Sequence, residues 1–416
     1  MSVSLMKMKD GQHIAVLGGG AAGFFAAINA KKNHPNAVVS LYEKTSKVLS
    51  KVKISGGGRC NVTNGCSDIN TLCQAYPRGG KKLKKIFYQF NTTHTQEWFK
   101  QRAVSLKTES DGRVFPISNQ SQSIIDCLMS EVNQLGVELY LSTPIHQIQP
   151  KENQWVLNFD NSGKILQTVD AVIIATGGSP KEKGFEWLKI LDHKIIPPIP
   201  SLFTFNMPHE KITKLMGVVV EEAQLKIIGT KIQTQGPILI THWGMSGPAI
   251  LKASAFGARW LYDQNYQFEI QINWINETDT EILFNKLQQH IAQHPLKSIS
   301  NQKAFPLPNR LWQFLVQKLA IPSERRWNEM GKKNCRKLIE LLVNDRYKIQ
   351  GKTTFKEEFV TCGGVSLSDV NLQTMESKKM PNLYFAGEVL DIDAVTGGYN
   401  FQAAWSTGFI AGKLEH

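Results

Sequence analysis

The feature that most constrains this chain lies near its N-terminus, where an apolar run, His13-Ile14-Ala15-Val16-Leu17, enters Gly18-Gly19-Gly20-Ala21-Ala22-Gly23. Residues 21–32 then read as a helix, with Phe24, Phe25 and Ile28 set among alanines. Strand, glycine turn and helix make the first half of a βαβ unit. A second apolar run over residues 37–42 closes the unit and ends on Glu43. In the pattern Gly-x-Gly-x-x-Gly the first glycine makes the tight turn, the second lets a pyrophosphate approach bare backbone, and the third lets the helix pack on the strand. The helix start presents N–H groups and a positive dipole end to phosphates. A carboxylate at position 43 accepts hydrogen bonds from both ribose hydroxyls and repels a 2′-phosphate, so the pattern favours FAD or NAD over NADP. The plain alternative is an ordinary glycine turn, against which strand, helix and acid all stand in place.

At 416 residues the chain exceeds a single core and is expected to divide into domains. Further strands are expected at 137–141, 155–159, 170–175 and 382–386, with helices at 123–135 and 401–411. This alternation is the mark of an α/β fold. The run Ile195-Ile196-Pro197-Pro198-Ile199-Pro200 suits neither a helix nor a central strand, which places a boundary there. From 202 to 273 the pattern turns to strands, with a hairpin in which 218–228 and 231–240 flank Gly229-Thr230. Thr278-Asp279-Thr280-Glu281 has capping-box spacing ahead of a helix, and helices are also expected at 310–320 and 333–343. The expected division is residues 1–194, a β-rich insert at 195–274, a helical subdomain at 275–346, and a return at 347–416.

Composition excludes several classes. With 42% hydrophobic and 20% charged residues, the chain is far from disordered or fibrous proteins. Its longest apolar runs fall well short of the roughly 20 residues of a membrane-crossing helix. The first dozen residues lack a secretory pattern, and the six cysteines form neither a Cys-x-x-Cys pair nor a disulfide framework. These features give the expectation of a cytoplasmic protein without a metal site. Leu414-Glu415-His416 reads as the stump of a histidine tag. The net charge of +13, with clusters at Lys81-Lys82-Leu83-Lys84-Lys85 and from Arg325 to Lys337, keeps a polyanion such as nucleic acid among the possible partners.

Three more glycine-rich segments turn the choice towards FAD, because an extended FAD must be gripped at several places. Ala175-Thr176-Gly177-Gly178 and Ala386-Gly387-Glu388 each follow a strand, where small residues let backbone approach a cofactor. Ile54-Ser55-Gly56-Gly57-Gly58-Arg59-Cys60-Asn61-Val62-Thr63-Asn64 joins three glycines to a guanidinium and amides, suited to wrapping a ring and pyrophosphate. Gly397-Gly398-Tyr399-Asn400-Phe401-Gln402 precedes the final helix, whose N-terminus can stabilise negative charge on a reduced flavin.

With these residues in view, the sequence resembles the YhiN/BaiN-like family of bacterial FAD-dependent oxidoreductases. Beyond the fingerprint, the shared words include Ser55 to Asn61, Thr241-His242-Trp243-Gly244-Met245-Ser246-Gly247-Pro248, Val360-Thr361-Cys362-Gly363-Gly364-Val365, Ala386 to Asp391 and Gly397 to Gln402. The resemblance implies a Rossmann-type FAD domain made from both chain ends, a β-barrel-like insert and a nested helical subdomain. It also implies cofactor contacts at Gly18, Gly20, Ala22, Gly23, Glu43, Lys44, Lys51, Ser55, Gly57, Gly58, Arg59, Cys60, Asn61, Ala175, Thr176, Gly177, Gly387 and Glu388. Ile145 is implied near adenine, with Asp391, Asn400, Phe401 and Gln402 towards the ribitol and ring. Leu49-Ser50-Lys51 departs from the family pattern of Gly followed by two basic residues, with Lys51 alone matching, so the resemblance carries no phosphate contact over to position 50.

Flavin carries the redox chemistry in such a protein, by hydride transfer at N5 to or from a small metabolite. The two expected reactions are reduction of an activated double bond and oxidation of a small amine. His242 and Tyr399 are the candidate acid/base side chains, each weighed against a structural place. No second Gly-x-Gly-x-x-Gly follows a strand, and Cys60 has no vicinal cysteine. A dithiol relay is therefore not expected, and NAD(P)H would bind only transiently as donor. The alternatives are an RNA-associated, tRNA-modifying flavoprotein and a non-catalytic flavin sensor.

Overall fold

A computed structural model describes residues 11–159, 166–353 and 360–415. The chain forms two compact units, Met1–Ser201 with Lys356–His416, and Leu202–Phe355.

The first unit is built on β1 (His13–Leu17), α1 (Ala21–Asn33), β2 (Val38–Tyr42), α2 (Gly80–Gln89), β3 (Glu138–Tyr140), β4 (Ala171–Ile174), β5 (Leu383–Phe385) and α3 (Tyr399–Ala411). The five strands form one sheet in the order β5-β4-β1-β2-β3, and every pairing is parallel. Ile14, Ala15 and Val16 of β1 and all of β4 are fully buried, as expected where helices cover both faces of a parallel sheet. Each Val, Leu or Ile so buried stabilises the unit by about 1.5–3 kcal/mol relative to exposure.

The two ends of the chain meet because α1 and α3 cross at close range. The first ten residues of α1 are buried. A Cβ at Gly408 of α3 would lie 2.7 Å from the Ala22 carbonyl oxygen, and one at Gly412 2.6 Å from that of Ala26. Small residues on both helices let the backbones approach.

The segment expected at 155–159 does not join this sheet. Gln154–Asn158 is the middle strand of a separate three-stranded antiparallel sheet. The proline-rich Ile195–Ser201 pairs antiparallel with Val360–Val365 in a two-stranded ribbon, with a bulge between Ile196 and Ile199. Pro197 and Pro198 fall in that bulge, where a missing N–H costs no ladder bond.

In the second unit a seven-stranded antiparallel sheet and its helices share one hydrophobic core. Val219–Ile227 and Gln233–Ile240 form a hairpin across Gly229-Thr230. The edges come together at Gly351, between strands Asp345–Gln350 and Lys352–Thr353. Its N–H donates to the Tyr266 carbonyl, and its own carbonyl accepts from Asn206. That contact gives the sheet its barrel-like closure. The strand-dominated reading of 202–273 needs one correction, because Pro248–Asp263 is a helix of 16 residues. Its start signal was present in the sequence, Gly247 followed by Pro248 at the first helical position. Ahead of helix Thr280–Gln293 the cap is Asp279, which accepts from the Glu281 and Ile282 N–H groups.

Candidate functional site

Four strands of the first unit end level with one another. In register, Leu17 lies beside Tyr42 and Ile174, and Ile174 beside Phe385. The residues that follow therefore line up along one sheet edge: Gly18, Glu43, Ala175 and Ala386. Backbone bonds continue the ladder for one further residue, with Gly18 N donating to Tyr42 O at 2.8 Å, Ala175 N to Leu17 O at 2.8 Å and Ala386 N to Ile174 O at 2.9 Å. The carboxyl edge of a parallel sheet is where open α/β folds bind ligands.

The glycines at this edge divide into two kinds. Gly18, at φ +115°, is sealed by protein, since a Cβ there would meet the Ala175 carbonyl oxygen at 2.4 Å. At Gly23 a Cβ would lie 1.8 Å from the Gly18 carbonyl oxygen, so α1 touches the turn it leaves. At Gly20 and Gly177, by contrast, a Cβ would meet nothing within 4 Å. Gly20 caps α1 in an extended conformation with no side-chain hydrogen bond, and the first turn carries no acid. The result is an open, uncapped helix start beside bare backbone, which fits the pyrophosphate of a dinucleotide.

Glu43 closes one side of this cradle. Its Oε2 accepts from Gly19 N at 2.9 Å, and its Oε1 accepts from Thr45 N and Oγ1 at 2.8 and 2.9 Å. The carboxylate is thus held in place by the turn, with acceptor capacity left for a ribose hydroxyl. Ala22 packs against Gly387, whose N–H donates to Thr407 Oγ1 at 2.8 Å. Lys44 and Thr176 are exposed at the same edge, and Ile145 is half-buried. Lys51 Nζ pairs with Glu388 Oε2 at 2.6 Å, while Glu388 Oε1 accepts from Thr361 N at 3.2 Å.

In the 55–61 loop, Gly57 and Gly58 are exposed with open space above them, and Ser55 Oγ donates to the Val52 carbonyl. Arg59 pairs with Glu109 at 2.7 Å and lies 3.8 Å over the Phe115 ring, so its orientation is set by protein. Cys60 is fully buried, and burial pushes its thiol up to about 12. Asn61 Oδ1 accepts from Val114 N at 3.3 Å.

At the start of α3, Asn400 accepts from Ala394 N and donates to Ala394 O, fixing the loop that carries Asp391. Phe401 stacks on Trp405. Gln402 is fully buried, and its amide is engaged by Thr63, Thr95 and Ser406, so its side chain holds the scaffold. Tyr399 is half-buried beside Gly397 and Tyr76, and burial raises its phenol above the ordinary range. His242 lies in the second unit, exposed on the turn between Gln233–Ile240 and Gly244–Ser246, edge-on to Trp243.

Two features escaped the sequence reading. Thr361, 1% exposed, has no hydrogen-bond partner for its hydroxyl among the described residues and sits against Gly178. Asp393, fully buried, takes both ends of the Arg78 guanidinium and accepts from Ser201 Oγ at 2.7 Å. Burial pushes its carboxyl up against the pull of Arg78. Arg78 and Asp393 are 315 residues apart, and neither belongs to a motif.

Comparisons with known proteins place this geometry. The family model described as HI0933-like protein Rossmann domain matches residues 12–414. The 3-dehydro-bile acid delta(4,6)-reductase of Clostridium scindens is 25% identical over 408 residues, covering 96% of this chain and 98% of that protein. A ribosomal RNA dihydrouridine synthase of Escherichia coli is 28% identical over 403 residues, 95% of each chain. A solved flavocytochrome c3 fumarate reductase overlaps 98% of this chain and 78% of its own at 15% identity and TM-score 0.49. On the match along nearly its whole length, the chain belongs to the HI0933-like Rossmann-domain family.

Proposed function

We propose that this flavoenzyme saturates an activated carbon–carbon double bond in a small molecule. The observation that carries the cofactor reading is the open backbone at Gly20 and Gly177, set between the sealed Gly18 and Gly23 on one sheet edge. Support for the reaction comes from the relatives' names, a delta(4,6)-reductase and a dihydrouridine synthase, since both name the saturation of a carbon–carbon bond.

FAD, if bound and reduced by a transient two-electron donor such as NAD(P)H, would supply the hydride from N5 and return to its oxidised form. The α1 N-terminus and Gly20 N–H hold the pyrophosphate, and Glu43, fixed by Gly19 and Thr45, holds the adenosine ribose. The first turn of α3, capped by Gly398 without an acidic side chain, would offer N–H dipoles to negative charge on a reduced ring bound beside it. Tyr399 Oη, kept protonated by burial, donates the proton that balances hydride addition and recovers one from water. Lys44, Lys51, Ser55, Gly57, Gly58, Arg59, Asn61, Ile145 and Asp391 complete the proposed cofactor contacts, with His242 the remaining acid/base candidate.

Anaerobic photoreduction of the holoprotein, followed by mixing with a panel of cyclic enones, tests the reading. The expected result is reoxidation of the flavin spectrum with formation of the saturated ketone. Flavin that reoxidises with oxygen but with no enone in the panel defeats it.

A further inference from the structure

We infer that the Thr361 hydroxyl hydrogen-bonds the ribitol chain of bound FAD, in a polyol site that it forms with Glu388 and Lys51. The inference rests on the FAD reading of the sheet edge, and its test separates the two.

Strand order sets the direction in which the cofactor runs. In the order β5-β4-β1-β2-β3, Gly20 lies at the helix start after β1, and Glu43 follows β2. Pyrophosphate at Gly20 and adenosine ribose at Glu43 carry the adenosine half from β1 towards β2. The flavin half then extends the opposite way, over the ends of β4 and β5. Gly177 and Gly178 follow β4 there, and Gly387 and Glu388 follow β5. Thr361 stands between these two segments. A Cβ at Gly178 would lie 2.3 Å from Thr361 Oγ1 and 3.0 Å from Glu388 Oε1, and Thr361 N donates to Glu388 Oε1 at 3.2 Å.

Backbone contacts impose this position. Thr361 pairs with Pro200 in the two-stranded ribbon. Further along the same strand, a Cβ at Gly363 would meet the Pro197 carbonyl oxygen at 2.5 Å, and one at Gly364 would meet the Val389 carbonyl oxygen at 2.4 Å. The strand is therefore pressed against its ribbon partner on one side and against the turn at 387–389 on the other. Asp391 N ties the two together by donating to Val365 O at 2.9 Å. Threonine is stiff at χ1, so a hydroxyl held on such a backbone does not swing far in search of a partner. It is buried and has none among the described residues. Buried hydroxyls are nearly always bonded, and one left open beside a cofactor cradle has its partner in the ligand.

The neighbouring groups select the ribitol over the ring. A carboxylate only accepts and has about four lone-pair sites. At Glu388 the bonds from Thr361 N and from Lys51 Nζ, the latter at 2.6 Å, take one on each oxygen. The remaining sites suit hydroxyl donors and repel the carbonyl oxygens of a flavin ring. Thr361 Oγ1 both donates and accepts. A carboxylate, a hydroxyl and an ammonium side by side are complementary to a chain of hydroxyls, each of which also donates and accepts.

The test is titration of the full chain with FAD by fluorescence quenching, and with ADP as a probe of the adenosine half alone. Thr361→Val replaces the hydroxyl by a methyl group of similar size. It should weaken FAD binding about three- to tenfold, the worth of one hydrogen bond, and leave ADP binding unchanged. Thr361→Ser keeps the hydroxyl and should bind FAD as the parent does. The flavin midpoint potential of Thr361→Val should equal that of the parent, and its urea midpoint without flavin should be no lower. Parental FAD affinity in Thr361→Val, as when a bound water satisfies the hydroxyl, overturns the inference alone. So does an equal loss of FAD and ADP affinity, or a fall in the urea midpoint, since either makes the hydroxyl structural. A shifted potential moves the contact to the ring and overturns the ribitol assignment. A parent that takes up no FAD defeats the cofactor reading itself.

Discussion

Two alanine substitutions three residues apart should have opposite consequences. At Gly20 the backbone is extended, φ −92° and ψ −173°, a conformation alanine adopts freely, and its Cβ would enter open space. Gly20→Ala should leave the apoprotein as stable as the parent or more so by about 0.4–1 kcal/mol, through the reduced freedom of the unfolded chain. The added methyl would occupy the place assigned to the pyrophosphate. Losing two charge-assisted bonds at about 1.5–3 kcal/mol each should weaken FAD binding by about a hundredfold or more. At Gly23 the Cβ would start 1.8 Å from the Gly18 carbonyl oxygen, and ordinary contact begins near 3.4 Å. α1 would have to retreat from the sheet, at a cost of about 3 kcal/mol or more. Urea denaturation of each apoprotein and FAD titration by fluorescence quenching measure the pair. Parental FAD affinity in Gly20→Ala refutes the placement of the pyrophosphate, and a parental urea midpoint in Gly23→Ala refutes the helix–turn contact.

Four further outcomes are expected. Cys60, buried and with its thiol near 12, should resist a thiol reagent at pH 8 until the protein is unfolded; rapid labelling in the native state would contradict this. Asp393→Asn should destabilise the first unit by about 3–5 kcal/mol, because Arg78 loses its buried counter-charge, and the double variant Arg78→Met, Asp393→Leu should recover much of the loss. An unchanged denaturation midpoint in the single variant would rule out that role. Burial lowers His193 below 6.5, so the unfolded chain takes up its proton first as pH falls. Its contribution to stability is full above about pH 7.5 and declines as pH drops through 6.5 towards the folded value. His193→Gln should flatten that decline, and identical pH profiles would count against it. Gln402→Leu should cost about 1–3 kcal/mol for each hydroxyl left unmatched and leave the flavin potential unmoved; a shifted potential at parental stability would make it a cofactor contact.

What could be read in the sequence was whatever repeats locally. The βαβ unit, the hairpin at Gly229-Thr230 and the helix from Thr280 each carry their signal in one continuous stretch of sequence. The helix Pro248–Asp263 was hidden by its neighbours, because Ala249, Ile250, Ala253 and Leu261 continue the apolar character of the flanking strands. The strand Gln154–Asn158 looked like part of the main sheet because alternation shows that a strand has one buried face, not which sheet receives it. Long-range pairs such as Arg78 with Asp393 leave no local trace. Their partners are set by topology, and a lone arginine in a loop reads as a solvated charge.

The polar residues near the edge separate into two roles once their bonding capacity is counted. Gln402 has both lone pairs of its amide oxygen taken by Thr63 and Thr95, and its nitrogen donates to Ser406. Only one Nε2 proton is left over, on a residue fully buried in the scaffold. Asn400 likewise spends its oxygen and a nitrogen proton on the backbone of Ala394. Arg59 differs, since a guanidinium has five donors, of which the bonds to Glu109 and to the Gly56 carbonyl take two, leaving capacity for an anion. A motif of glycine, amide and guanidinium therefore mixes scaffold and ligand at neighbouring positions. On this count the cofactor contacts proposed at the start of α3 would come from backbone N–H groups and the rings of Tyr399 and Phe401, while the amides keep that backbone where it is.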